Sequence, residues 1–146
     1  MKTFLYILAG VAIVGAILFI PLKRGRAQTS SITLDWTSPG DDGNVGTATT
    51  YQMRYSAGRP DTSSVATLDT WWNSATPITT LPSPAIAGTR QSVVVAPPSG
   101  FLAGTTIYFV MKACDEIPNC SLYSNVALKV VPDMTPPGRI IDLFTR

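Results

Sequence analysis

The sequence predicts an all-β fold, an antiparallel two-sheet sandwich, preceded by one apolar N-terminal helix. Three observations carry this. Beyond residue 28, short runs alternate apolar and polar residues, the period of two that turns one face of a strand inward. Clusters of Gly, Pro, Asp and Asn separate the runs, and these are the residues that make turns. Residues 3–22 form an apolar stretch without a charged side chain, unlike anything downstream. At 146 residues the chain holds one domain of ordinary size.

Residues 1–27 come first. As a helix, residues 3–22 would rise about 1.5 Å per residue to roughly 30 Å, the thickness of a bilayer core. Tyr6 stands near one end, and Lys23, Arg24 and Arg26 stop the apolar run at the other. A secretory leader has a shorter apolar region of about 7–15 residues, which favours an uncleaved signal-anchor that meets the membrane through residues 3–22. Gly25 and Ala27 also put small residues at −3 and −1 of a cleavage point after Ala27, so a cleaved leader is the alternative.

Residues 28–132 read as the β domain. The run 31–37 alternates with Ile32, Leu34 and Trp36 inward, and 38–46 is turn material. The run 50–56 points Tyr51, Met53 and Tyr55 inward. Residues 57–88 are irregular and rich in Ser, Thr and Pro, with Trp71 and Trp72 in the middle. The run 91–96 offers Val93 and Val95, and 105–113 offers Ile107, Phe109, Met111 and Ala113 with Lys112 outward. The run 125–131 is expected to bury Val126, Leu128 and Val130 and to expose Lys129. Residues 133–146 form a Pro-rich linker or tail.

Composition narrows the function. Charged residues are 14% of the chain, below the ~25% of an ordinary soluble domain. The net charge of +2 is set by Lys2, Lys23, Arg24 and Arg26, and the remainder is slightly acidic, which argues against nucleic acid as a partner. The chain has no histidine, so the commonest general base and metal ligand is missing. Two cysteines cannot build a four-cysteine zinc site. An enzyme is not expected, and neither is a cofactor.

The stretches SITLDWTSPGDDGNVGTATTYQMRYS (31–56), AGTRQSVVV (87–95), AGTTIYFVMKACDEIPNCSLYSNV (103–126) and PDMTPPGRIIDL (132–143) together resemble a fibronectin type III domain, an immunoglobulin-like β-sandwich, of the bacterial extracellular kind. The resemblance implies that Trp36 packs in the core and that Tyr51, Met53 and Tyr55 form an inward stripe. Two departures stand out. The family's core tyrosine after a Gly-Thr step falls on Ile107, with Tyr108 one residue out of phase. Only residues 28–30 separate the leader from the first run, so the family's first strand is missing or very short. Conversely, TPPGRIIDL (135–143) looks like the linker and first strand of a following repeat. Residues 140–144 are thus candidates to add to an uncovered sheet edge of this domain or of a neighbour.

Cys114 and Cys120 flank a short turn. On facing hairpin positions their Cα atoms would stand about 4.5–5.5 Å apart, inside the disulfide range of about 4.4–6.8 Å. A disulfide places the domain outside the cytoplasm; free thiols are the alternative. The positive-inside rule, applied to Lys23, Arg24 and Arg26, points the other way. The cysteine pair is given more weight.

Other candidate sites follow. Asp41, Asp42 and Asn44 cluster in one loop, where oxygen ligands suit calcium; the plainer reading is a turn in which they bond their own backbone. Trp71 and Trp72 are candidates for stacking on sugar rings or anchoring a partner; the plainer reading is that they pack in the core or cover a sheet edge. In a strand, one would be buried and the other exposed. Ser99 has no histidine to activate it, and Asp115 and Glu116 are adjacent on a turn rather than converging from separate elements. The expected function is that of a non-catalytic, membrane-tethered extracytoplasmic module, a spacer or a protein-interaction and adhesion domain. Its partners would be surface proteins or glycans. The alternative is an accessory carbohydrate-binding module that uses Trp71 and Trp72, or a secreted form released near Ala27.

Overall fold

The computed structural model describes residues 31–97, 99–117, 119–133 and 136–145; the apolar segment expected as anchor or leader lies outside the described residues. Six strands and one helix follow in chain order: β1 (Ile32–Thr37), β2 (Thr50–Ser56), α1 (Val65–Ser74), β3 (Thr76–Ile78), β4 (Arg90–Val95), β5 (Thr106–Cys114) and β6 (Ala127–Val130). β1 and β4 form one sheet, and β3–β2–β5–β6 form the other. Every pairing is antiparallel. Among the described residues, no helix is long and apolar enough to cross a membrane.

One core joins the sheets. Ile32, Val93 and Val95 enter it from β1 and β4; Met53, Ile78, Ile107 and Phe109 enter it from the other sheet. Phe101 and Val131 close its end from connecting segments. The rings of Tyr55 and Phe101 meet edge to face at 5.5 Å, and those of Phe101 and Phe109 at 6.4 Å. Edge-to-face contact suits the ring quadrupoles, and burying such a side chain stabilises by roughly 1.5–3 kcal/mol. Ile107 fills the core as the shifted phase requires, while Tyr108 turns to the opposite face.

Two expectations are corrected. The last run is out of phase by one residue. Ala127 stands opposite Phe109, and Lys129 opposite Ile107, and directly paired residues share a face. The core side of β6 therefore carries Ala127 and leads to Val131, while Leu128 and Val130 are exposed by 60% and 56%. The irregular stretch 57–88 contains a helix. Its start is a capping box: the Ser64 hydroxyl accepts from the Thr67 N–H, and the Thr67 hydroxyl accepts from the Ser64 N–H. Leu68, Trp71, Trp72 and Ala75 then line one face at helical spacing.

A polar chain ties the long connection 79–89 to both sheets. The buried Ser38 hydroxyl meets the Tyr51 hydroxyl at 2.7 Å, and Tyr51 donates to Gln91 Oε1 at 2.8 Å. Gln91 in turn receives the Ala85 N–H and donates to the Ser83 carbonyl. This satisfies polar groups that burial would otherwise strand. The contact also puts the Thr37 end of β1 beside Tyr51, so the Ile32 end lies at the opposite end of the sandwich.

Candidate functional site

Three places outside the core bring chemistry-bearing residues together. The first is the outer face of the four-stranded sheet, where α1 lies. Leu68, Trp71, Trp72 and Ala75 pack on Val110 of β5, with Tyr108, Tyr123 and Val126 around them. The Trp71 Nε1–H donates to the Gly58 carbonyl at 2.7 Å. Two cations press on the Trp72 indole: the Arg54 guanidinium lies 5.1 Å and the Lys112 ammonium 4.7 Å from the ring centroid. Arg54 also donates to the Trp72 carbonyl at 2.7 Å, and Lys112 lies 4.6 Å from the Tyr123 ring. Cation–π contacts of this kind are worth about 0.5–2 kcal/mol, more where water is excluded.

Tyr123 closes this face by donating its hydroxyl to Asp69 on α1. Burial, then the bond to Asp69 and the charge of that carboxylate, push the Tyr123 pKa up to about 12, against an opposing pull from Arg54. The phenol therefore keeps its proton at neutral pH and donates it in the hydrogen bond to Asp69. Both indoles are buried, Trp71 at 8% and Trp72 at 4% exposure. Trp71 and Trp72 stand on a helix and not on the strand that would bury one and expose the other; a helix turns adjacent residues by only about 100°, so both pack against the sheet, as the plainer reading has it. Neither ring face is open for a sugar in this arrangement.

The second place is the end of the sandwich that carries the cysteines. Cys114 and Cys120 are joined as a disulfide and neither is free; their Cα atoms stand 4.0 Å apart, closer than the expected spacing. The loop 40–46 folds against this turn. Gly40 lets the loop close on itself, since a Cβ there would meet the Val45 carbonyl oxygen at 2.2 Å. Partial desolvation, then the charges of Glu116, Asp42 and Asp115, raise the Asp41 pKa above its usual value. The expected calcium candidates Asp41 and Asp42 thus share a neighbourhood with the 115–116 turn, and Asn44 follows in the same exposed loop. Among the described residues, no three acidic or cysteine side chains form a group that would hold a metal ion.

The third place is the flank beside β1. Strand β1 pairs with β4 on one side, and on the other a cleft of about 110 Å3 opens between Leu34 and Trp36 of β1 and Phe109, Met111 and Ala127. It continues into a wider space of about 330 Å3 that reaches Thr37, Lys112 and Leu122. Trp36 and Tyr51 meet edge to face at 5.5 Å on its inner wall. The Trp36 Nε1–H is buried there without an acceptor among the described residues. The narrower part mixes apolar Leu34, Trp36, Met53, Phe109 and Met111 with polar Asp35, Ser124 and Asn125. Sequence reading placed Leu34 and Trp36 on the inward face, but the flank depends on which strand lies beside β1. No local pattern encodes that.

Comparison with protein-family models, with curated proteins and with solved structures finds no match for the chain. What the geometry defines is a mostly β domain of two antiparallel sheets, one outer face clasped by a short helix.

Proposed function

We infer that the chain is a non-catalytic, extracytoplasmic fibronectin type III-like module, tethered to a membrane through residues 3–22 and serving as a spacer or protein-interaction domain. The observation that carries the reading is the pairing of Cys114 with Cys120 across the end of an antiparallel two-sheet domain. Disulfides persist in oxidising compartments, and a short apolar stretch followed by a sandwich is the organisation of a displayed module. The absence of histidine from the sequence and the neutral, helix-bound Tyr123 support binding over catalysis.

The test is expression of the full chain in a host with an intact secretion pathway, followed by fractionation and thiol alkylation. The expected result is full-length protein in the membrane fraction, its thiols blocked from alkylation until reduced, and its domain degraded by protease added outside. Free thiols and protease resistance in intact cells would overturn it, and would make the basic residues Lys23, Arg24 and Arg26 the better guide to topology.

A further inference from the structure

We propose that residues 139–144 of one copy of this chain dock as an antiparallel strand on the free edge of β1 in a second copy, with Ile141 and Leu143 entering the cleft beside that strand. The inference stands on the geometry of the sheets and does not depend on the family reading.

The acceptor is the edge of a two-stranded sheet. Among the described residues β1 has β4 as its one strand partner, and across the cleft on its other side stand Ser124, Asn125 and Ala127 without pairing to it as a strand. An unpaired edge presents a row of backbone donors and acceptors to any extended chain. Beneath that edge lies the cleft whose apolar wall is Leu34, Trp36, Phe109 and Met111, with Asp35, Ser124 and Asn125 also in its lining. Backbone pairing above and apolar pockets below are the two parts of strand addition as a mode of recognition.

The donor is the tail. Residues 136–145 carry no regular secondary structure. Ile140 and Phe144 are each 74% exposed, Ile141 is 86% exposed and Leu143 is 91% exposed. So much contiguous apolar surface marks an interaction segment. In an extended chain Ile141 and Leu143 share one face, while Ile140, Asp142 and Phe144 share the other. The face that carries Asp142 suits solvent, and the Ile141–Leu143 face suits the cleft.

For an antiparallel strand, direction selects a second copy over the tail's own domain. β6 delivers the chain at Val130 beside Thr106, the end of the sandwich opposite Tyr51 and Cys114. The Thr37 end of β1 lies beside Tyr51, so the tail leaves next to the Ile32 end. To lie antiparallel on its own β1, the tail must first climb the whole strand, about 20 Å for six residues, and then reverse. Pro136 and Pro137 hold the linker extended and oppose that reversal. A second copy stacked beyond the exit instead presents the Thr37 end of its β1 first, and the tail runs down it antiparallel without turning. The contact is head-to-tail, uses different surfaces on the two copies, and so continues into a chain of copies.

The experiment uses the full chain in detergent micelles. Sedimentation velocity follows its size over a hundredfold range of protein concentration, beside the double variant Ile141→Asp, Leu143→Asp. Both positions are exposed, so the variant keeps its fold, and a matching melting temperature checks this. Wild type is expected to form a concentration-dependent ladder that the double variant loses. A tail-deleted chain that ends at residue 138, mixed with wild type, is expected to shorten the ladder, because it accepts a tail but donates none. A wild-type chain that stays one size throughout would overturn the proposal. A ladder that survives the double substitution would overturn it too, and would place the association elsewhere.

Discussion

The two long flanks of this domain solve the same problem in different ways. On the outer face of β5, apolar surface is covered by an element of the same chain: α1 lays Trp71 and Trp72 on Val110, and Arg54, Lys112 and Tyr123 lock the cover down. On the β1 flank, the apolar wall of Leu34 and Trp36 has a cleft in front of it and, among the described residues, no strand alongside. The helix is ten residues long and follows β2 after a short connection, so closure of that face costs little chain entropy. The tail that matches the other flank leaves at the wrong end to close it in place. A face closed locally contributes to stability; a face left open is available to a partner.

Substitutions sharpen that contrast. Trp72→Ala removes a 4%-exposed indole and both cation contacts on it, and should lower unfolding free energy by about 3–5 kcal/mol. Chemical denaturation measures it. If the sandwich stays equally stable and α1 alone melts, the helix is a cover and not part of the cooperative fold. Replacing Cys114 and Cys120 by Ser together removes a cross-link over a sequence separation of 6, and should cost about 2 kcal/mol in non-reducing buffer. Reduction of the wild type should match the double variant. Ser64→Ala removes the cap of α1 and should cost about 1 kcal/mol, with the loss seen first as faster amide exchange in residues 65–68.

The pH effect is the smallest. Tyr123 has a raised pKa in the folded state, so its contribution is complete below the ordinary value of 10.0 and is lost as pH rises towards about 12. The unfolded chain releases the phenol proton first, and stability therefore falls through that window. Tyr123→Phe should flatten this part of the pH–stability curve. An unchanged slope would mean that the Tyr123–Asp69 bond does not hold α1 to the sheet.

Strands were legible where alternation was strict and one face was wet. The runs that became β1, β2, β4 and β5 kept their inward residues Ile32, Met53, Val93, Val95, Ile107 and Phe109. β6 was legible as a strand but not in its facing, because Val126, Leu128 and Val130 look like a buried stripe in isolation. Its facing is set by the register with β5, and a slip of one residue exchanges the faces. The helix does carry a signal in the sequence. Leu68, Trp71, Trp72 and Ala75 repeat at helical spacing behind a Ser cap, but the surrounding Ser, Thr and Pro made the stretch look irregular. β3 could not be found from sequence: it is Thr76–Ile78, three residues with Pro77 inside, and exists as an edge added to β2. The β1 cleft was illegible for a related reason, since it is a property of what lies between two sheets.

Hydrogen exchange of the full chain at low and high protein concentration tests most directly the claim that one flank is closed within the chain and the other between chains. Amides of α1 and β5 should be equally protected at both concentrations. Amides of β1 and of residues 139–144 should gain protection together, and only at the higher one. Protection of the tail that is already complete in the dilute monomer, or a tail that stays unprotected while copies associate, would contradict the account.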